Sequence, residues 1–295
     1  MAMVQGEAHP VSRPTSRTRV HFRPSRIFLY LIVLLFLFVI LAPFYWIAKS
    51  ALSNTTQVFT VPPTYFPRIT FENFTTLANQ IPLFEYTRNS IVISTGTAFL
   101  SVVFAFLAAY AFARIEVPGR NFLLWLFVLT MALPEIATII PLYRFMAAAK
   151  LLDTIYGLVL VMSSVLTPFT VWVLVAFIQQ VPYEIEEAAI IDGANLRMRL
   201  MRVVIPLTRP AIVTMLVINF INGWNNLLYP LAFSVTDKSK TLSVAITEIY
   251  QVAGPYGPPW ELISALGVTL VLPTIFLVLV SQRAIVRGLT RGAIK

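Results

Sequence analysis

Polar and apolar residues fall in long blocks along this chain. Six apolar blocks stand out, at residues 27–48, 89–113, 121–143, 154–180, 210–236 and 262–282. Each is long enough for a helix across a hydrocarbon core, which takes roughly 20 residues. Five of the six carry no charge, and the third holds only Glu135. The pattern predicts an all-α membrane protein with six transmembrane helices. In the third block Pro134 and Pro141 bracket Glu135 and predict a kink or an end, because proline lacks an N–H and clashes with the preceding turn.

One polar connection, about 181–206, predicts helices of its own. Pro182 sits where a first turn would start, and Glu184, Glu186 and Glu187 follow. Proline at the first helical position and acids near the N-terminus both favour such a start. Ile185, Ala188, Ala189 and Asp192 then share a face. Gly193 permits the left-handed conformation that ends or sharply turns a helix. Leu196, Leu200, Val203 and Val204 recur at i, i+4, i+7 and i+8, with Arg197, Arg199 and Arg202 outside that stripe. Pro206 and Pro210 are expected to close this second helix before the fifth block. Two uses fit the pattern. The segment lies on the inner leaflet through its arginines, or it seats in an apolar groove of a soluble partner. Ala188 and Ala189 allow close approach, and a half-buried Glu187 would require a cation.

The other connections differ in character. Residues 49–88 contain Pro62, Pro63, Pro67 and Pro82 among aromatic residues and predict a small structured cap. Residues 237–260 carry Gly254, Pro255, Gly257, Pro258 and Pro259 around Tyr256 and Trp260. Such composition favours a fixed, irregular loop over a helix or strand. Its aromatic residues suit insertion into a partner, or packing of a plain linker on its own bundle. Residues 1–26 hold five Arg and three Pro and predict a disordered arm. The apolar run after it exceeds the ~7–15 residues of a cleaved signal core, so it is expected to remain as the first span.

Composition fixes the solvent. The chain is 58% hydrophobic and 12% charged, where a soluble domain carries about 25% charged residues. A lipid bilayer must cover it. The net charge of +9 would suggest nucleic acid in a soluble chain. Here the placement of charge matters more, and no nucleic-acid partner is expected. Six crossings put both termini on one side. With the N-terminus cytoplasmic, 15 of the 22 Lys and Arg residues lie inside and 7 outside. The acids split 6 and 7, so the bias is in positive charge alone, as cytoplasmic loops require. There is no Cys, and the two His (His9 and His21) both lie in the arm, leaving no thiolate or imidazole metal cluster.

Letter by letter, the polar segment resembles the EAA loop of bacterial ABC importer permeases. That pattern is Glu-Ala-Ala, three residues, Gly, nine residues, Ile, one residue, Leu-Pro. Here it reads Glu187-Ala188-Ala189, Gly193, Val203, Ile205-Pro206, with Asp192 and Ala194 matching the common extended form. The departures, Val for Ile and Ile for Leu, are apolar exchanges. Glu72-Asn73-Phe74, Asn89-Ser90 and Trp224-Asn225-Asn226 resemble the carbohydrate branch, and the resemblance covers nearly the whole chain. The tail from Gln282 to Lys295 is similar to that of the MalG-related, six-span permease of maltose- and trehalose-type importers.

The resemblance implies the type I importer permease fold with both termini cytoplasmic, in the bacterial cytoplasmic membrane. It implies a second, homologous permease, an ABC ATPase dimer below, and an extracytoplasmic sugar-binding protein that delivers a disaccharide or oligosaccharide. It implies no cofactor on this chain and no catalysis by it, since ATP and Mg belong to the ATPase. No Gly-x4-Gly-Lys-Ser/Thr phosphate loop is present. Glu187 inherits the pairing with an ATPase cation, Gly193 the turn, and Ala188, Ala189, Asp192, Ala194 and Pro206 the rest of the docking surface. Arg287, Arg291 and Lys295 are expected at the ATPase, and Gly254, Pro255, Tyr256, Gly257 and Trp260 at the binding protein.

Asn219, Asn222 and Asn226 recur at i, i+3 and i+7 in the fifth block, with Trp224 and Tyr229 near. Polar groups in a span face the bundle interior or a water-filled path. Amides bond sugar hydroxyls and aromatic rings stack on pyranose faces, so these five residues are candidates for the substrate path. The same amides would equally fix helix packing. Permeases for amino acids or polyamines remain the nearest alternative. An ion-coupled transporter would need coupling residues and inverted repeats, of which only Glu135 is a candidate.

Overall fold

The computed structural model describes residues 24–116, 118–252 and 256–293, with side chains between residues 28 and 282. These residues are mainly helical: α1 (Pro24–Ala51), α2 (Thr55–Val58), α3 (Glu72–Gln80), α4 (Leu83–Arg114), α5 (Arg120–Met131), α6 (Glu135–Ala148), α7 (Ile155–Gln179), α8 (Tyr183–Ile191), α9 (Leu196–Arg199), a π-helical turn (Leu200–Val204), α10 (Ile205–Asn225), α11 (Leu228–Phe233), α12 (Leu242–Tyr250) and α13 (Trp260–Ala293). Among the described residues, five helices are long and apolar enough to cross a membrane, or six if the bent pair α5–α6 counts as one span.

That pair is the third apolar block. Its halves meet at 101°. Pro134 at the junction is extended, with φ −61° and ψ 135°, and Glu135 opens α6. Pro141 lies inside α6 without ending it.

Three expectations need correction. Pro206 and Pro210 do not close the second helix of the polar segment, because the helix runs unbroken from Leu196 to Asn225. The π turn shifts the register so that Ile205 N–H bonds Leu200 O. Pro206 follows directly on this turn, where the helical ladder is already shifted. The fifth block does not remain helical to residue 236. It stops at Asn225, and Asn226 turns extended. The Asn226 side chain accepts the Tyr229 N–H at 3.1 Å, which starts α11 as an Asn cap does. Finally, residues 237–260 are not wholly irregular, since α12 occupies 242–250. Leu242, Ala245 and Ile249 on it are fully buried, at the i, i+3, i+7 spacing of a helix face.

The chain divides into a unit ending at Trp46 and a unit beginning at Ile47. The first contains most of α1, whose residues 28–41 are exposed and almost all apolar, as a lipid-facing helix would be. In the second, α4 packs chiefly on α7 and α10. Ser90, Ser94, Thr97, Ser101 and Ala105 of α4 are buried, and small residues of this kind let helices approach closely. A Cβ on Gly223 of α10 would come 3.1 Å from the Ser94 Cα, so any larger residue there needs α4 to shift by a few tenths of an ångström. One core cluster gathers Ala105, Ala109, Leu174, Ile178 and Met215. Another joins Leu77, Tyr86, Trp224, Leu242 and Leu266.

Of the three motifs of the carbohydrate-like pattern, the first ties down the cap and the second the loop after α11. Asn73 donates to Ala51 O and Ser53 O, both at 2.8 Å. Asn89 donates to the carbonyls of Asp237, Lys238 and Lys240 at 3.0–3.2 Å, and Ser90 Oγ accepts the Leu242 N–H at 2.8 Å.

Candidate functional site

The EAA segment is α8, a glycine turn and α9. Pro182 is the N-cap of α8, one position earlier than the sequence pattern places it. Gly193 has φ +81°, the left-handed turn expected of it. The Gly193 and Ala194 N–H groups bond Ile190 O and Ala189 O, each at 2.9 Å, and so close α8. Asn195 then caps α9, accepting the Met198 N–H at 2.9 Å. Glu187, Ala188, Asp192, Gly193 and Pro206 are exposed, and Ala189 and Ala194 half-buried. Ile191 is 86% exposed. This face is a shallow apolar strip with a carboxylate at each end.

The neighbouring acids take opposite roles. A cation for Glu187 is expected only where a partner buries it. In this chain Glu187 is exposed, and among the described residues it forms no ion pair. Glu186 is the buried one, with 0% exposure, and it takes the cation: Arg114 Nε donates to its Oε1 at 2.6 Å. The Tyr110 hydroxyl donates to Oε2 at 3.1 Å. The sequence pattern missed this pair, whose partners lie 72 positions apart.

The five candidates for a substrate path separate. Asn219 is fully buried and donates to Ser101 Oγ and Thr170 Oγ1 at 2.7 and 2.9 Å. Trp224 is 1% exposed, and its indole N–H bonds Leu270 O at 2.9 Å. Both side chains are engaged in helix packing, the alternative the sequence leaves open for them. Asn222, Asn226 and Tyr229 come together with Glu135 around a hollow of about 40 Å³. The Tyr229 hydroxyl lies 2.8 Å from Thr138 Oγ1, and Asn226 reaches Glu135 at 3.5 Å. The broken third helix delivers Glu135 to this hollow, and the broken end of α10 delivers Asn226.

On the loop before α13, Tyr256 and Trp260 are 58% and 47% exposed. Tyr256 meets Phe59 at 5.0 Å and Trp260 meets Tyr250 edge-on at 6.4 Å. Gly257 has φ +98°. Gly254 and Pro255 lie outside the described residues. In the tail, α13 continues to Ala293 and carries Arg287 and Arg291. Their side chains and Lys295 lie outside the described residues.

Two charged clusters brace the loops between spans. Asp153 Oδ1 accepts Ser239 Oγ at 2.6 Å and the N–H groups of Val235 and Thr236 at 2.9 Å, while Oδ2 accepts Thr236 Oγ1 at 2.6 Å. Burial pushes the Asp153 carboxyl up, but these bonds outweigh it and hold the group well below the usual carboxylate range. Lys240 donates to Glu248 at 2.5 Å, and that bond, ahead of the cost of burial, raises its ammonium above the usual value. Tyr86 joins the same cluster through Asp237 and Glu248 at 2.7 and 3.0 Å.

The chain is thus a bundle of long apolar helices with a broken third block and an exposed helix–glycine–helix segment. The chain belongs to the family described as "Binding-protein-dependent transport system inner membrane component", which it matches over residues 101–291. It is 34% identical to the trehalose transport system permease protein SugB of Mycobacterium tuberculosis, over 86% of this chain and 92% of that one. It is 32% identical to the sulfoquinovosyl glycerol transport system permease protein SmoH of Agrobacterium fabrum, over 86% and 89%. With the trehalose/maltose transport system permease protein MalG of Thermococcus litoralis it shares 30%, over 92% and 97%. The fold is also that of a bacterial ABC transporter that imports the acidic polysaccharide alginate, with TM-score 0.76, 21% identity, and coverage of 90% of this chain and 99% of that one. The protein is therefore a multi-pass membrane permease with a transport role.

Proposed function

We propose that this chain is a permease subunit of an ATP-driven sugar importer of the bacterial cytoplasmic membrane. With a second, homologous permease it forms the path for a disaccharide or oligosaccharide. The chain crosses the membrane six times between residues 27 and 282, with the arm 1–26 and the tail 283–295 both cytoplasmic. Residues 181–206 dock on an ABC ATPase dimer that binds the ATP and Mg. The tail, through Arg287, Arg291 and Lys295, reaches the same ATPase. Residues 254–260 meet the extracytoplasmic binding protein, and Asn222 and Asn226 line the path.

The observation that carries this reading is the exposed strip of α8. Glu187, Ala188 and Asp192 face outward beside a left-handed Gly193. A soluble chain can lay a groove over such a strip, with Glu187 left for a cation. The sugar class is supported by relatives named for trehalose, maltose and sulfoquinovosyl glycerol. Co-purification tests the assembly: an ATPase and a second permease should come down in fixed stoichiometry. Stimulation of that complex by sugar-loaded binding protein, and by none loaded with amino acids or polyamines, tests the substrate. A chain that purifies alone and transports without ATPase overturns the reading.

A further inference from the structure

Arg114 is the last residue of α4, and its guanidinium holds three pieces of chain at once. Nε donates to Glu186 on α8 at 2.6 Å. A second nitrogen donates to Val181 O, between α7 and α8, at 2.7 Å. The plane lies over the ring of Tyr183, 5.7 Å from its centre. Glu186 closes the set from the other side by accepting the Tyr110 hydroxyl, one turn earlier on α4. Both oxygens of a fully buried carboxylate are thus committed to one helix. A charge without solvent holds its partners strongly, because releasing one leaves it uncompensated.

The rest of the contact under α8 is loose. Its main other neighbours are α9 and the π turn. Beneath it a hollow of about 210 Å³ opens between Phe177, Pro182, Ile185, Leu207 and Pro210. Apolar packing there is incomplete, so the polar tie is the stiff connection between α8 and α4. Helix α4 in turn packs on α7 and α10, through the buried face that includes Ser101 and its bond from Asn219.

We propose that Glu186, clasped by Arg114 and Tyr110, is a positioning residue that transmits displacement of the docking helix α8 to α4. The proposal rests on the docking reading above and adds the route by which docking moves the spans. Adjacent glutamates divide the work: Glu187 faces the partner and Glu186 faces the bundle. Without the clasp, motion of α8 is absorbed in the hollow beneath it.

The chain has no cysteine, so with partner subunits freed of theirs two spin labels can be placed at Glu184→Cys on α8 and Leu107→Cys on α4. The assembled importer, with ATPase and binding protein, is measured in lipid nanodiscs with and without nucleotide. Tyr110→Phe and Glu186→Gln test the clasp, and Tyr110→Phe keeps the buried ion pair should Glu186→Gln fold poorly. In the parent chain both labels should shift on nucleotide binding. In the variants the α8 label should still shift while the α4 label stops following it. Substrate moved per ATP hydrolysed should drop about 5-fold or more, the lower end of typical coupling between sites. Complex yield should hold, which a merely structural role would not leave intact. Labels that move together in the variants, with an unchanged transport-to-hydrolysis ratio, overturn the clasp alone. No shift at Glu184→Cys even in the parent overturns the docking reading, and the clasp with it.

Discussion

Asn219 and Ser101 are joined at 2.7 Å inside the bundle. The same amide reaches Thr170 at 2.9 Å, so one side chain ties α10 to both α4 and α7. In a water-free interior, helices associate by close packing and such bonds, because lipid tails compete for apolar contact.

Asn219→Ala should therefore act on stability, at about 1–2 kcal/mol for the lost interhelical bonds. The readout is the melting temperature of the purified chain, together with sugar preference, which should not change. Asn222→Ala should behave in the opposite way, raising the KM of uptake with little change in melting. A changed sugar preference in Asn219→Ala, at unaltered stability, would return Asn219 to the path.

Asp153 gives a prediction in pH. Its carboxylate accepts bonds from Val235, Thr236 and Ser239, and its pKa in the folded chain lies below the ordinary value. A depressed pKa means that the folded state holds the charged form more tightly than the unfolded state does. The stabilisation is present above the unfolded value of about 3.9 and fades as pH falls through the folded one. Asp153→Asn keeps the tolerance for the left-handed backbone at this position (φ +57°) but removes the charge. At neutral pH the variant should melt well below the parent, the gap should hold down to about pH 5, and it should narrow as pH is lowered further toward about 3. A gap constant over that range would mean that the charge contributes nothing.

Five of the six apolar blocks were readable as helices long enough to span, and the third as a bent pair, because such length is decided by local composition over roughly 20 residues. The turn at Gly193 and the break before Glu135 were readable for a similar reason, since glycine and proline act on their own backbone. What stayed hidden depends on distance in the chain. Nothing near Glu186 shows that it, and not Glu187, turns inward. That follows from the cation of Arg114 and the hydroxyl of Tyr110 on another helix. The phase of Asn219, Asn222 and Asn226 was correct as a helix face only up to Asn225, where the helix ends. Helix α12 was missed although Leu242, Ala245 and Ile249 have helical spacing, because the glycines and prolines after it dominated the reading of that loop.

Gly193 and Glu187 test the docking surface separately. A Cβ at Gly193 meets nothing within 4 Å, so substitution strains only the backbone. Alanine should cost about 1–2 kcal/mol, and asparagine less because it visits the left-handed region more readily. Valine should cost most, being branched at Cβ. The amount of ATPase that co-purifies should follow that order: Gly, Asn, Ala, Val. Glu187→Ala should keep the fold, since the side chain is exposed, and should separate hydrolysis from uptake. Full uptake and full complex yield in both Gly193→Val and Glu187→Ala would remove the segment from the docking role.

The loop before α13 decides between contact and mere connection. Tyr256 and Trp260 are each more than 45% exposed, although Phe59 and Tyr250 touch one side of each. Large rings left half in water are natural anchors for a partner surface. Gly257, at φ +98°, fixes the turn between them at little steric cost. If the loop enters the sugar site of the docked binding protein, it must carry both rigidity and bulk. Replacing residues 251–259 by a few glycines and serines removes both and leaves α12 and most of α13 in place. Complex yield and basal ATP hydrolysis should then stay normal, while sugar stays bound to the docked binding protein and uptake fails. Tyr256→Ala should give a partial version of the same defect, with slower release and unchanged docking affinity. A plain linker would tolerate both changes. Release of labelled sugar from the binding protein, timed on the assembled complex after ATP addition, distinguishes the two, and parent-like release from the shortened loop would reduce it to a connection.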